Sequence, residues 1–389
     1  MARHPRPRVV RGRSRTGERF TAVVGPVAHG GHCVVRLPAP ESRVVFTRHA
    51  LPGERVVVEI TEGSEGDSFW RGDAVEVLEP SPDRVPAPCP VAGPGLCGGC
   101  DFQHVTPARQ RSLKADVVRE QLVRLGRLDA GDPLVAGLVV EHVEGDEDGL
   151  RWRTRVRFTT TSDGRRGMRR HRSHDVVTVA DCLIARPDAL EPRPGTVTET
   201  VVTDDADHVF TVEADGFWQV HPGAARVLVE TVLDMLAPRP GEAVLDLYAG
   251  VGLFARFLAD EVGPGSRVVA VEGDRRACAH ARSALGDVGP VSAGRVDQVL
   301  AAGYDEPFDL VVLDPPREGA GRKVVEQVVD RAPRAVAYVA CDPAALARDV
   351  ATFAGHGYRL TRLRAFDLFP MTSHVECVAL LEKTGSDLR

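Results

Sequence analysis

Three of the chain's eight cysteines fall within CPVAGPGLCGGC, residues 89–100, a stretch padded with Gly and Pro. Gly and Pro at that density exclude a packed amphipathic helix or a regular strand. Thiols converging from a bent backbone suit a metal ion or an iron–sulfur cluster. The alternative is a disulfide between Cys97 and Cys100, which leaves the third thiol to find another partner. A second constellation lies far along the chain, where Asp246-Leu247-Tyr248-Ala249-Gly250-Val251-Gly252 ends an apolar run in a loop that lets a ligand approach the backbone. Glu272 follows about twenty residues on, where a carboxylate can accept both hydroxyls of a ribose. The third Gly of a dinucleotide fingerprint is missing. Asp297 in RVDQVL and Asp314 in DPPR extend the set toward S-adenosylmethionine rather than a pyrophosphate. For DPPR the plain alternative is a strand-ending turn.

Elements must hold these groups. The 389 residues, 43% hydrophobic and 27% charged, allow two or three domains with proper cores. No apolar run approaches the ~18–20 residues of a membrane helix, and the Arg-rich start has no apolar h-region. A cytoplasmic, reducing location is expected, where thiols stay reduced unless a metal or catalysis uses them. Residues 1–16 read as a basic arm touching phosphates, or as a solvated tail or transit peptide. From 17 to 80, five β-like runs (FTAVVGPVA, HCVVRLP, RVVFTRHA, RVVVEITEG, FWRGDAVEVLEP) predict a small closed, OB-like barrel.

Residues 86–224 are mixed α+β: the cysteine loop, a helix opening at Thr106-Pro107 and ending at Gly126, then RWRTRVRF (151–158). A period of two sends Arg151, Arg153, Arg155 and Arg157 to one face of a strand. With RRGMRRHRSH (165–174) after the turn-like TSDG, this predicts a basic hairpin that binds phosphates, against the alternative of an edge strand defended by charge. The net charge of −6 makes no case for nucleic acid by itself. From 225 to 389, helices alternate with buried strands (AVLDLYAG, RVVAVEGD, FDLVVLDPP, AVAYVACDP, YRLTRLRAFDLFP, HVECVALLEK), the mark of a doubly wound α/β domain.

YVACDPAALARD (338–349) and DLFPMTSHVE (367–376) resemble the two catalytic motifs of the RNA uracil-5-methyltransferases, which make 5-methyluridine in bacterial ribosomal and transfer RNA. FWQVHPG (217–223), LDLYAGVGLFA, DPPREG and CGGCDFQH match further motifs of that family, from roughly Gly17 to the end of the chain. The resemblance implies a Rossmann-like class I methyltransferase domain, an N-terminal TRAM barrel and a central iron–sulfur domain. It implies S-adenosylmethionine held by Gln219, Tyr248, Gly250, Gly252, Glu272, Asp297 and Asp314. It further implies a 4Fe-4S cluster on Cys89, Cys97, Cys100 and Cys182, leaving Cys33, Cys278 and Cys377 as incidental thiols. Cys341 becomes the nucleophile and Glu376 the general base. RNA is the partner, ribosomal in preference to transfer RNA because barrel and cluster occur together, and a monomer is expected.

The chemistry of uracil asks for the same groups. C5 is a poor nucleophile until a thiolate adds at C6, and a base must then remove the C5 proton. Cys341 stands just before a Pro-initiated helix, whose N-terminus is expected to lower its pKa. Three departures stand out: seven residues between Cys89 and Cys97, which keeps zinc as an alternative; His221 for a usual Asn; and Leu253 for another. Competing readings are a radical S-adenosylmethionine enzyme, an amino-methyltransferase and a non-enzymatic RNA-binding protein. The first wants C-x-x-x-C-x-x-C, the second has no use for Cys341, and the third has no use for Cys341 or Glu376.

Overall fold

The computed structural model describes residues 12–385; most of the basic arm expected over 1–16 lies outside the described residues. Strands β1 (Arg19–Ala28), β2 (His32–Arg36), β3 (Val44–Arg48), β4 (Arg55–Glu62) and β5 (Phe69–Glu79) correspond to the five β-like runs. They close into a barrel in the order β1-β2-β3-β5-β4. Alternation does the sorting, with Val56, Val58 and Ile60 of β4 buried and the residues between them turned outward. Trp70 is buried, its indole N–H donates to Ser64 O at 2.8 Å, and the Arg15 and Arg43 guanidiniums lie 5.1 and 5.6 Å from its ring centre.

Helix α1 (Pro107–Arg124) opens at the expected proline. Then come α2 (Pro133–Ala136), β6 (Val140–His142), β7 (Arg153–Arg155), β8 (Thr159–Thr160), β9 (Arg166–Arg169), β10 (Val176–Thr178), β11 (Ala185–Leu190), β12 (Thr196–Val202) and β13 (Asp207–Glu213). The alternating part follows: α3 (Ala224–Leu236), β14 (Val244–Leu247), α4 (Leu253–Val262), β15 (Val268–Glu272), α5 (Arg275–Leu285), β16 (Val291–Ala293), α6 (Val296–Ala302) and β17 (Leu310–Leu313). It finishes with α7 (Gly321–Asp330), β18 (Ala335–Ala340), α8 (Pro343–Ala354), β19 (Tyr358–Asp367) and β20 (Glu376–Lys383).

Two compact units result. One takes the chain up to Leu113 with Thr159–Cys182 and Met371–Ser373; the other takes Lys114–Phe158, Leu183–Pro370 and the chain from His374. Residues 86–224, expected as a central domain, are therefore shared out. The cause is hydrophobic: Ala115, Val118 and Leu122 of α1 and Val140 of β6 are buried in the core of the large sheet.

The arginine-rich segment departs from a single hairpin. β7 pairs in parallel with β11, whereas β9 pairs with β8 and β10. The alternation did foresee buried Trp152 and Val156. Its arginines, however, work for the fold: Arg151 donates to Ala185 O, Arg153 to Arg155 O, and Arg155 to the Glu199 carboxylate at 2.9 Å. Of the four only Arg157 is exposed. A guanidinium carries five donors that burial obliges to pair, so nearby carbonyls claimed them. The cationic face survives on the β9–β10 side, where Arg165, Arg166, Arg169, Arg170 and Arg172 are exposed.

In the larger unit eight strands run in the order β16-β15-β14-β17-β18-β20-β19-β6. β14 to β18 are parallel, and β20 inserts antiparallel between β18 and β19. Successive strand residues enter opposite cores: Val244, Val268 and Val312 on one face, Leu245, Val269 and Val311 on the other. That is the doubly wound arrangement expected. β6 and β16 carry too few residues for periodicity to announce them.

Candidate active site

At the carboxyl ends of β14, β15, β17 and β18 lies a cavity of about 1190 Å³, the place where open α/β sheets bind ligands. It is lined by eight of the nine residues assigned above to catalysis and cofactor, namely Gln219, Tyr248, Gly250, Glu272, Asp297, Asp314, Cys341 and Glu376; Gly252, the remaining one, does not line it.

The Gly loop turns through Tyr248 (φ +64°), Gly250 (+57°) and Gly252 (+87°), the last capping α4. A Cβ on Gly252 would stand 3.1 Å from Leu285 Cδ1. Gly250 N donates to Glu272 Oε2 at 2.8 Å, and Asp274 N donates to Glu272 Oε1 at 2.7 Å. The carboxylate is thus aimed by backbone, with lone pairs left for hydroxyl donors. Asp297 is held by Arg295 (3.0 Å) and Lys323 (3.1 Å), which keep its carboxyl below the usual range. Asp314 is pushed up to about 7 by burial and by Glu272.

Antiparallel pairing of Ala340 with Cys377 sets Cys341 and Glu376 beside each other at the sheet edge. Glu376 is 5% exposed, and burial drives its carboxyl well above the carboxylate range, with Asp314 adding to the rise. Cys341 is pushed up to about 12 by burial, then by Glu376 and Asp314, while Arg317 pulls it down. The expected lowering by the helix N-terminus does not occur. Asp342 caps α8, accepting from Ala345 N at 2.8 Å; desolvation of the thiol, with Glu376 and Asp314 adding to it, outweighs the dipole.

The two departures lie differently. His221 is buried, accepts from Gly223 N at 3.2 Å and stacks on Trp152 with ring centres 6.1 Å apart, away from the cavity. Burial holds its pKa down to about 4, so it is neutral. Leu253 is packed at the start of α4. Beside Gln219, Phe217 is 76% exposed on the cavity wall.

No disulfide joins any of the eight cysteines, all of them among the described residues; five, Cys33, Cys89, Cys97, Cys100 and Cys182, belong to the smaller unit. Cys97 feels the charges of Cys182 and Cys89, and Cys100 those of Cys182 and Cys97, so the four predicted thiols are neighbours. Burial pushes Cys100 up to about 12 and raises Cys97. Among the described residues no three His, Cys, Asp or Glu side chains stand close enough to hold a single metal ion. Gln103, buried, accepts from Cys89 N at 3.0 Å and donates to Cys100 Sγ at 3.3 Å. Gly98 N donates to Arg169 O at 3.0 Å, and a Cβ on Gly98 would stand 2.6 Å from His171 N. The cysteine loop and the basic strand β9 are thereby locked edge to edge. Asp101 and Phe102 N–H groups, at 3.0 Å each, donate to Met371 O, while Asp101 Oδ2 accepts from Ser373 N at 2.9 Å.

Three family models match the chain: a TRAM domain over residues 13–75, a methyltransferase small domain over 220–338 and a tRNA (uracil-5-)-methyltransferase over 293–384. The 23S rRNA (uracil(1939)-C(5))-methyltransferase RlmD of Alkalilimnicola ehrlichii is 32% identical, with 95% of this chain and 98% of that one covered. The chain belongs to the RNA uracil-5-methyltransferase family. An uncharacterised RNA methyltransferase of Streptomyces coelicolor is 46% identical over 96% of this chain and 95% of that one. Among solved structures, Pyrococcus abyssi tRNA (uracil-54, C5)-methyltransferase in complex with S-adenosyl-L-homocysteine shares the fold, with a TM-score of 0.65 and 20% identity over 93% of this chain and all of that one.

Family motifs contained three residues whose work sequence reasoning passed over. Asp246, fully buried, accepts from Ala255 N at 2.9 Å and anchors α4, its pKa raised by burial to about 7. Gln103 bridges two thiols, and Asp349 binds the loop after β17. Each stood inside a quoted motif. What the motif did not give was its partner, which comes from elsewhere in the chain.

Proposed function

We propose that this enzyme transfers a methyl group from S-adenosylmethionine to C5 of a uridine in RNA, with Cys341 as nucleophile and Glu376 as base. The observation that carries the reading is a thiol and a buried carboxyl side by side in a cavity whose other wall is an acidic nucleotide site. Cys341 Sγ bonds to uracil C6, C5 takes the methyl carbon, Glu376 removes the C5 proton, and the Sγ–C6 bond breaks to return the thiolate. Burial opposes the charge of both groups, and both must ionise to act. Arg317 supplies one positive charge against them, and the cofactor, when bound, brings a sulfonium charge and the methyl group. Gln219, Tyr248, Glu272 and Asp297 are its holders in this reading. Phe217 offers an exposed ring for a flipped base to stack on.

For the thiol site the reading is a 4Fe-4S cluster on Cys89, Cys97, Cys100 and Cys182. Four soft thiol donors suit it, and Cys97, Cys100 and Cys182 lie near enough to act on one another. Such a group would serve structure, keeping the exposed arginines of the β9–β10 strands in register for phosphates. Large-subunit ribosomal RNA is the favoured substrate, supported by the full-length likeness to a 23S rRNA enzyme.

The test is a covalent trap. RNA carrying 5-fluorouridine should give a denaturation-resistant adduct with the wild type. Cys341→Ala should give no adduct and no product, and Glu376→Gln should stall as a methylated adduct on ordinary RNA. Turnover by Cys341→Ala would sink the mechanism. Mapping 5-methyluridine in ribosomal and transfer RNA of a deletion strain decides the substrate, and iron against zinc content of anaerobically purified protein decides the metal.

A further inference from the structure

The loop after β17 brings Asp314 and Arg317 to the cavity, and a carboxylate behind it takes up the loop's backbone donors. Asp349, 4% exposed on α8, accepts three hydrogen bonds on one oxygen: from Tyr338 Oη at 2.7 Å, Ala320 N at 2.8 Å and Gly321 N at 3.2 Å. Just ahead, Gly319 N donates to Pro316 O at 2.8 Å, closing a turn around Arg317 and Glu318. Gly319 has φ +86°, and a Cβ there would lie 2.7 Å from Asp349 Oδ2, so no side chain fits between turn and carboxylate. Tyr338 is fully buried on β18, three residues before the nucleophile. The strand that ends at Cys341 and the helix that follows it therefore both grip the turn bearing Arg317. Neither Asp349 nor Tyr338 lines the cavity.

We propose that Asp349, supported by Tyr338, is a positioning residue for methyl transfer: it fixes the Pro316–Gly319 turn so that Arg317 faces Cys341 and Glu376, and it touches neither substrate nor cofactor. The inference rests on the catalytic roles proposed above for those two residues. Arg317 lines the same cavity as Cys341 and Glu376, with its Nη2 3.3 Å from His374 Nε2 two residues before Glu376, and its charge acts on both of them. A turn released from Asp349 lets that guanidinium drift, and a charge effect inside a protein falls away with distance. Asn at 349 keeps the volume and one acceptor oxygen but removes the negative charge that strengthens all three bonds and adds a donor, so the three-way grip is weakened.

The experiment compares wild type, Asp349→Asn, Arg317→Ala and the double variant in two assays. The first is alkylation of Cys341 at pH 8, followed by peptide mass spectrometry without RNA or cofactor; the second is methyl transfer with RNA. Asp349→Asn should slow alkylation several-fold and lower kcat about tenfold, the size expected for losing one charge-assisted hydrogen bond, with KM for RNA within about threefold. The effect should be absent on an Arg317→Ala background, because both substitutions remove the same cation. Tyr338→Phe, which removes the donor to Asp349 and the oxygen that accepts from Ala320 N at 3.0 Å but keeps the packing, should move both readouts the same way by less. Unchanged alkylation in folded Asp349→Asn and Tyr338→Phe, or losses that multiply with Arg317→Ala, would overturn the proposal. Because alkylation needs no RNA, a wild type inactive on every RNA would count against the uracil reading and leave this one readable.

Discussion

Replacing Lys114 by Met should unfold the larger unit more easily than any surface change. Lys114 and Asp367 have side chains 0% and 3% exposed, with Nζ 2.6 Å from Oδ1 and a second bond from Nζ to Phe369 O at 3.0 Å. At an effective dielectric of about 20, two charges at that separation attract by about 6 kcal/mol, most of which desolvation offsets. Removing one partner leaves Asp367 charged and buried, which costs roughly 3–5 kcal/mol. Lys114→Met should therefore lower the melting temperature by about 6–20 °C, taking roughly 2–4 °C per kcal/mol for a domain of this size. The double variant Lys114→Met/Asp367→Leu should recover most of the loss, because an apolar pair of similar volume is often neutral or better. Urea unfolding of wild type, Lys114→Met, Asp367→Leu and the double variant gives the coupling energy directly. A single variant within about 1 kcal/mol of wild type, or a double variant as unstable as the single, would refute the placement of an uncompensated charge as the dominant effect.

Binding of S-adenosylmethionine should strengthen as pH rises from 6 to 8, while the neutral thioether S-adenosylhomocysteine should bind equally at both. Asp314 titrates near 7, so it is mostly protonated at pH 6 and mostly ionised at pH 8, and a sulfonium that prefers the ionised form gains up to about tenfold. Calorimetric titration with Asp314→Asn should abolish the slope; matching pH profiles for the two ligands would exclude Asp314 as the sulfonium's partner. Gly98→Ala should loosen the β9–β10 strands from the cysteine loop, weakening RNA binding and lowering iron retention while leaving S-adenosylmethionine affinity within about twofold, since the clash sits in the smaller unit.

Local signals carried much of this molecule. The five barrel strands, the Gly loop and the runs that became β14, β15, β17, β18 and β20 are all written in periodicity and turn chemistry, and the two motifs proposed as catalytic sit at their ends. What escaped was pairing across sequence. Lys114 and Asp367 are 253 residues apart; nothing near Lys114 announces that it will be buried. Arg155 could not be known to meet Glu199, so a stretch with few acids of its own read as free positive charge. The thiol of Cys341 was expected to be acidic because the helix start was visible in sequence, whereas the burial that reverses it is a property of the assembled sheet. Asp349 showed its type but not that three donors from other elements would converge on it.

The position of β20 bears on synthesis. It is the last of the described strands to leave the ribosome, yet it lies inside the sheet between β18 and β19. Until it arrives, the apolar six-residue strand β18 and the ten-residue strand β19 have open facing edges, the kind of surface that pairs with other chains. The same strand begins with Glu376. A nascent or prematurely ended chain that stops short of it therefore exposes an adhesive slot and lacks the proposed base at once.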